Sequence, residues 1–177
     1  TIRSRCILLN LRPVSNEKVR NHLMQHMHIP DYQAEVCTAF AQGNVGKAKH
    51  LAGSEHFNEL KHSAVQLMKR IRDIEVYEMG EAVKQISEYK MSMNDYFDIM
   101  MVWYRDVLMY KATMDINGLI FKEEVYDIKK QASKSSYHGI QEILDALDKA
   151  KIRLNANVNF DIVIELLLLK MKENLSE

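Results

Sequence analysis

Residues 94–113 read Asn-Asp-Tyr-Phe-Asp-Ile-Met-Met-Val-Trp-Tyr-Arg-Asp-Val-Leu-Met-Tyr-Lys-Ala-Thr, and their reading decides the fold class. No Gly or Pro interrupts the stretch. Tyr96, Phe97, Ile99, Met100, Met101, Val102, Trp103, Val107, Leu108 and Met109 distribute apolar side chains almost all the way round a helix. A helix without a polar face is a buried helix, so partners are needed on every side. The segment Asp115-Ile116-Asn117-Gly118 breaks it. Working outward, Ser54 caps a helical run to about Arg72, and a second runs from about Glu75 to Tyr89. Downstream, the pattern predicts helices near 122–134 and 137–154. After the break Asn155–Asn159, a last helix over 160–174 carries Ile162, Val163, Ile164 and Leu166 to Leu169. Two nearly all-apolar helices exceed what a lone six-helix bundle must bury. The excess implies a surface for neighbouring subunits.

Towards the N-terminus the helices shorten. Ser15 is a good cap, with Glu17 in the first turn, and Val19, Leu23 and Met27 follow at helical spacing. Pro30-Asp31 opens a second helix, with Asp31 as its cap, through Ala34, Val36, Ala39, Phe40 and Ala41. Gly43 and Asn44 stop it, and a third runs from Gly46 to Gly53. Before them, Cys6-Ile-Leu-Leu-Asn-Leu11 is too short for a helix and is bounded by Arg12-Pro13, so it reads as a strand. It has no partner strand downstream, and the sheet to which it belongs is expected upstream of Thr1. The expected organisation is therefore all-α after a residual strand. A remnant of another domain covers 1–12, a small three-helix unit 13–53, and a longer helical bundle 54–177.

Composition agrees with this and removes several functions. Among 177 residues there are only six Gly and two Pro, little material for strands and turns, while Met is abundant at eleven. The formal net charge is zero, which argues against a strongly basic nucleic-acid surface. Cys6 and Cys37 have no metal or redox spacing and read as reduced thiols. No charged-then-apolar leader opens the sequence, and the run Ile162–Leu169 is interrupted by Glu165 and too short to span a bilayer. A cytoplasmic protein without membrane contact is expected.

Catalytic constellations are scarce. There is no Gly-x-x-x-x-Gly-Lys-Ser/Thr phosphate loop, no Gly-x-Gly-x-x-Gly and no His-Glu-x-x-His. His22 and His26 stand four apart with His28 and Cys37 nearby, but the spacing fits no recognised zinc site, and a solvated face with scattered histidines is the simpler reading. Trp103-Tyr104-Arg105-Asp106 places charge inside an apolar helix. A binding site is one reading and a structural ion pair the simpler one. The methionines Met91, Met93, Met100, Met101, Met109 and Met114 read as core filler, and the clusters Lys69-Arg70-Arg72 and Lys47-Lys49 as solvated faces. No cofactor and no metal are expected.

Three stretches carry a resemblance. Ser4-Arg5-Cys6, followed by an apolar strand, Arg12-Pro13 and a capped helix, resembles the Ser-Arg-Cys motif of clamp-loader AAA+ subunits. Gln42-Gly43-Asn44-Val45-Gly46-Lys47-Ala48 resembles the second sensor region of the AAA+ lid, with Gly46 where ATP-binding subunits carry Arg. Lys47, one residue on, points about a hundred degrees away round a helix. Arg153-Leu154-Asn155-Ala156-Asn157-Val158-Asn159 with the following apolar helix, and Trp103-Tyr104-Arg105-Asp106-Val107-Leu108, are similar to the tail and core helix of the delta-prime subunits of bacterial DNA polymerase III clamp loaders.

That resemblance implies a non-catalytic clamp-loader subunit. Residues 1–12 would end the AAA+ nucleotide-binding domain, 13–53 would be the lid and 54–177 the collar. Arg5, held by Ser4 and Cys6, would act as a trans arginine toward a neighbour's ATP, where phosphoryl transfer develops charge. The implied partners are the gamma/tau and delta subunits, with the sliding clamp and primed DNA reached through the whole complex. The chain by itself would be a monomer or weak dimer. Two alternatives are a gamma/tau ATPase subunit or related replication-factor-like protein, marked by a phosphate loop upstream, and a helical DNA-binding module, marked by salt-dependent DNA binding.

Overall fold

Helices account for all the regular structure among the residues that the computed structural model describes, Arg5 and 12–175. The strand expected at Cys6–Leu11 lies outside the described residues. The chain divides into two compact units, Thr1–Ser54 and Glu55–Glu177.

The first unit holds α1 (Asn16–Met27), α2 (Asp31–Ala41) and α3 (Val45–Ala52). Val19 and Leu23 of α1 meet Ala34, Val36, Cys37 and Phe40 of α2 and Ala48 and Leu51 of α3 in its core. Pro30, not Asp31, occupies the position before α2, because its fixed φ of −56° suits entry into a helix. Asp31 is the first helical residue and pairs instead with Arg20, 2.5 Å away. Between α2 and α3 the backbone turns through two left-handed residues, Gln42 at φ 48° and Gly43 at φ 82°. A Cβ on Gly43 would stand 2.6 Å from Pro13 Cβ and 2.6 Å from the Val14 carbonyl oxygen, so glycine is required twice over. Asn44 then caps α3, its side chain accepting the Lys47 N–H at 3.0 Å.

The second unit is built round α6 (Met93–Thr113), which packs on α4 (Glu55–Arg70), α7 (Val125–Lys134) and α8 (Tyr137–Asn155). The segment expected as one helix over Glu75–Tyr89 is a 3-10 turn, Val76–Glu78, followed by α5 (Met79–Ser87). A reciprocal capping box between Glu75 and Glu78 stabilises that turn and delays the helix. The last helix, α9 (Phe160–Leu175), packs against α8 and α5. Gly139, at the start of α8, lets the backbone of α9 approach: a Cβ there would lie 2.6 Å from the Asn174 carbonyl oxygen.

The apolar reading of α6 holds on the side that meets its partners. Tyr96, Phe97, Ile99, Met100, Trp103, Tyr104 and Val107 are each at most 1 % exposed. Met101, Val102, Leu108 and Met109 are only half-buried. Trp103 donates its indole N–H to Gln131 Oε1 at 2.8 Å, and Gln131 Nε2 donates to the Met68 carbonyl at 2.5 Å. Met68 sits in the last turn of α4, where carbonyls lack helical partners. One buried carboxamide thus joins α4, α6 and α7. Charged side chains add further ties. Lys69 bridges Glu124 and Asp127, Lys151 reaches Asp98 at 3.0 Å, and Lys172 of α9 donates to the Arg72 and Ile74 carbonyls after α4.

Gln131→Leu strands both the Trp103 indole N–H and the Met68 carbonyl. It should lower the unfolding free energy by about 2–3 kcal/mol in urea denaturation. Trp103→Phe should cost less in the Gln131→Leu background than alone, because one orphaned donor disappears with the indole.

Candidate functional site

The residues singled out in the sequence scatter. Arg5 is exposed in a turn, while Ser4 and Cys6 lie outside the described residues. Gly46 and Lys47 are exposed in the first turn of α3. His22 and His26 stack at 4.8 Å between ring centres in α1, whereas Cys37 is buried in α2. Among the described residues, no group of three or more His, Cys, Asp or Glu is placed to hold a metal ion. No described helix is long and apolar enough to cross a membrane.

The charged pair inside α6 has a structural task. Asp106 is fully buried, and its Oδ2 accepts the backbone N–H groups of Ile120 and Phe121, each at 2.8 Å. Arg105 contacts Asp106 Oδ1 at 2.7 Å and donates to the Gly118 carbonyl at 3.0 Å. The two residues therefore fasten the loop after α6 back onto its own helix. Beside them the Tyr104 hydroxyl is buried without a hydrogen-bond partner among the described residues, and burial pushes its pKa upward. The basic cluster Lys69-Arg70-Arg72 is not a plain solvated face: Lys69 is tied to α7, Arg70 bonds Gln85 Oε1 at 2.5 Å, and Arg72 Nη1 is shielded from solvent. The reason is the position of these residues at the end of α4, where the neighbouring helices converge.

The methionines also divide differently from a uniform core stripe. Met93 and Met100 are buried, but Met91 is 99 % exposed and Met114 69 %. Met91 lies in the 3-10 turn Lys90–Ser92 and Met114 adopts a left-handed conformation after α6, so neither follows the helical face of its neighbours.

Met91 stands beside an open groove of about 940 Å3 at the turn between α8 and α9. Met93, Phe97 and Phe160 form its buried floor, and Leu154 and Val158 its walls. Asn94, Asn155, Asn157 and Asn159 line it with amides, and Lys90 is the one charged residue in the lining. The Val158 N–H returns to the Arg153 carbonyl at 3.1 Å, Asn157 takes a left-handed φ of 58°, and Asn159 Oδ1 accepts the Ile162 N–H at 3.2 Å. These bonds hold the turn so that Val158 is 44 % exposed. On α9 itself, Ile162 and Leu166 lie one helical turn apart and are 54 % and 50 % exposed, whereas Leu167 belongs to the core and Leu169 is half-buried. An apolar centre with amides around it and little charge has the composition of a surface that binds protein, and it offers no pair of titratable groups for acid–base chemistry. Composition had marked Asn155–Asn159 only as punctuation. The signal available was an amide-rich turn enclosing Val158 between two apolar helices.

This amide-lined groove lies in an all-helical unit whose sequence matches the family model described as DNA polymerase III, delta subunit, C terminal, over residues 65–173. The chain belongs to that family. It is also similar to the DNA polymerase III subunit delta-prime of Bacillus subtilis (strain 168), with 24 % identity over 176 residues, covering 98 % of this chain and 53 % of that protein. The chain thus spans about half the length of the curated relative it matches. No solved structure matches.

The clamp on Asp106 gives a pH-dependent test. Burial raises its pKa above the ordinary value of 3.8, outweighing the bonds from Phe121, Arg105 and Ile120 that lower it. A carboxyl with a raised folded-state pKa contributes stability that is full below the unfolded pKa and is lost as pH rises through the folded one. The stability of the wild type relative to Asp106→Asn should therefore fall as pH rises above about 4 in paired urea titrations. Asp106→Ala, which orphans two buried amides, should cost about 2–4 kcal/mol near pH 4, and that cost should shrink as pH rises, since alanine does not titrate either.

Proposed function

We propose that this chain is the assembly part of a delta-prime-type subunit of a DNA polymerase III clamp loader, acting in DNA replication without hydrolysing ATP itself. The observation that carries the reading is the family match over 65–173, which falls in the same helical unit as the exposed apolar groove at the α8–α9 turn. In this reading residues 13–53 are an AAA+ lid, 54–177 are a collar domain, and 1–12 are the end of a nucleotide-binding domain. The partners are the gamma/tau and delta subunits, and the sliding clamp and primed DNA are met through the whole cytoplasmic complex.

Arg5 is the trans-acting arginine of this proposal, with Ser4 and Cys6 holding its loop. It is supported by the Ser-Arg-Cys context and by the exposure of Arg5, which a residue acting on a neighbour's ATP requires. The missing arginine at Gly46 supports assigning hydrolysis to other subunits.

Two measurements on the complete subunit test the reading. Val158→Glu or Ile162→Glu, both at exposed positions, should weaken co-purification with the partner subunits while changing the unfolding free energy by less than about 0.5 kcal/mol. Assembly untouched by both substitutions, and by Met91→Glu, would refute the docking role of this end of the bundle. Arg5→Ala should leave assembly intact and slow ATP hydrolysis at the site it serves by up to about a thousandfold, diluted in the bulk rate by the other sites. Clamp- and DNA-stimulated turnover equal to wild type would remove Arg5 from the mechanism.

A further inference from the structure

Away from the groove, the segment after α4 and the last turn of α7 line a separate crevice, closed on one side by Leu175 of α9. It encloses about 350 Å3 including its mouth, of which the enclosed part has room for roughly one water-sized group. Its lining sets four cations, Lys69, Arg72, Lys130 and Lys134, against two carboxylates, Asp73 and Asp127. Lys69 and Asp127 are already paired with each other, so the remaining charge in the crevice is positive.

Two of its lining residues each carry a buried polar atom without a hydrogen-bond partner among the described residues. Ser135 is 3 % exposed and its hydroxyl has no hydrogen-bond partner among the described residues. Arg72 Nη1 is likewise shielded and unpartnered. A buried hydroxyl or guanidinium nitrogen left without an acceptor is unfavourable, and native structures rarely leave two in one place. A water molecule would satisfy the hydrogen bonds but not the charge. An oxyanion would satisfy both, with Lys130 and Lys134 in the same lining to share its charge.

We propose that this crevice, with Arg72 and Ser135 in its lining, is a binding site for a small oxyanion of the phosphate or sulfate type. It is isolated and narrow rather than a basic track, so its chemistry is that of a discrete anion and not of a nucleic-acid backbone. Neither the catalytic nor the docking roles assigned above use these residues.

Inorganic phosphate is the probe, titrated into isotope-labelled protein at constant ionic strength set by sodium chloride. The amide resonances of Arg72 and Ser135 should shift and saturate. Arg72→Gln should weaken the apparent affinity by about tenfold or more, since it removes a charge-assisted bond. Ser135→Ala should weaken it several-fold while leaving the phosphate-free melting temperature unchanged or slightly raised, because it deletes an unpartnered buried hydroxyl. Lys172 bonds the backbone carbonyl of Arg72 and not its side chain, so that tie survives both changes. If Arg72→Gln disturbs the fold, Ser135→Ala decides the question alone. Shifts that rise linearly without saturating, or an affinity unaltered in the folded variants, would overturn the site.

Discussion

A single carboxamide governs how the larger unit packs. Among the described residues, Gln131 meets both the buried indole N–H of Trp103 and the Met68 carbonyl, and it does so from a third helix. Hydrophobic burial alone is tolerant of sliding and rotation, because one apolar contact substitutes for another. A buried donor and a buried acceptor are not interchangeable, and an arrangement that misses either is penalised. The depth of Trp103, the end of α4 and the rotation of α7 are therefore set together, and the aliphatic residues fill the space that this geometry leaves.

Asp106 applies the same logic to the chain itself rather than to its neighbours. The loop after α6 has no secondary structure to absorb the N–H groups of Ile120 and Phe121, so a carboxylate within the helix supplies the acceptors. Leu119 and Phe121 are thereby brought into the core, the ring of Phe121 6.1 Å from that of Trp103. Polar residues in the central helix thus act as fixed points for register and loop path.

How much of this could be read in advance depended on periodicity. Residues 94–113 and 160–174 announced the two central helices because their apolar residues recur at helical spacing without a breaker. The stretch after Glu75 misled, since a capping box between Glu75 and Glu78 competes with an immediate helix start, and a window of apolar residues does not register such a local bond. The exposed face of α9 was half legible. Ile162 and Leu166 are exposed while Leu167 is buried, a division the pattern leaves open because an all-apolar helix does not reveal which of its faces meets the core. The groove itself was invisible, being formed by residues near 91, 97 and 158 that only tertiary folding brings together. The role proposed for Arg5 rests solely on likeness to a motif, which no periodicity supports.

The bond from Lys172 to the carbonyls of Arg72 and Ile74 links positions about one hundred residues apart. With it, α9 closes onto the region that opens the second unit, packing against α5 and α8. During synthesis, then, the earlier helices emerge from the ribosome with a face of the core still bare, and no local rearrangement can cover it. The unit can mature only when its last helix has cleared the exit tunnel, which makes its folding a late and concerted event. Until that moment the nascent chain exposes the apolar seam for which Val163, Ile164, Leu167 and Leu168 are the complement. The same dependence ensures that a subunit cut short before α9 presents an unfinished core to quality control instead of a competent surface to its partners.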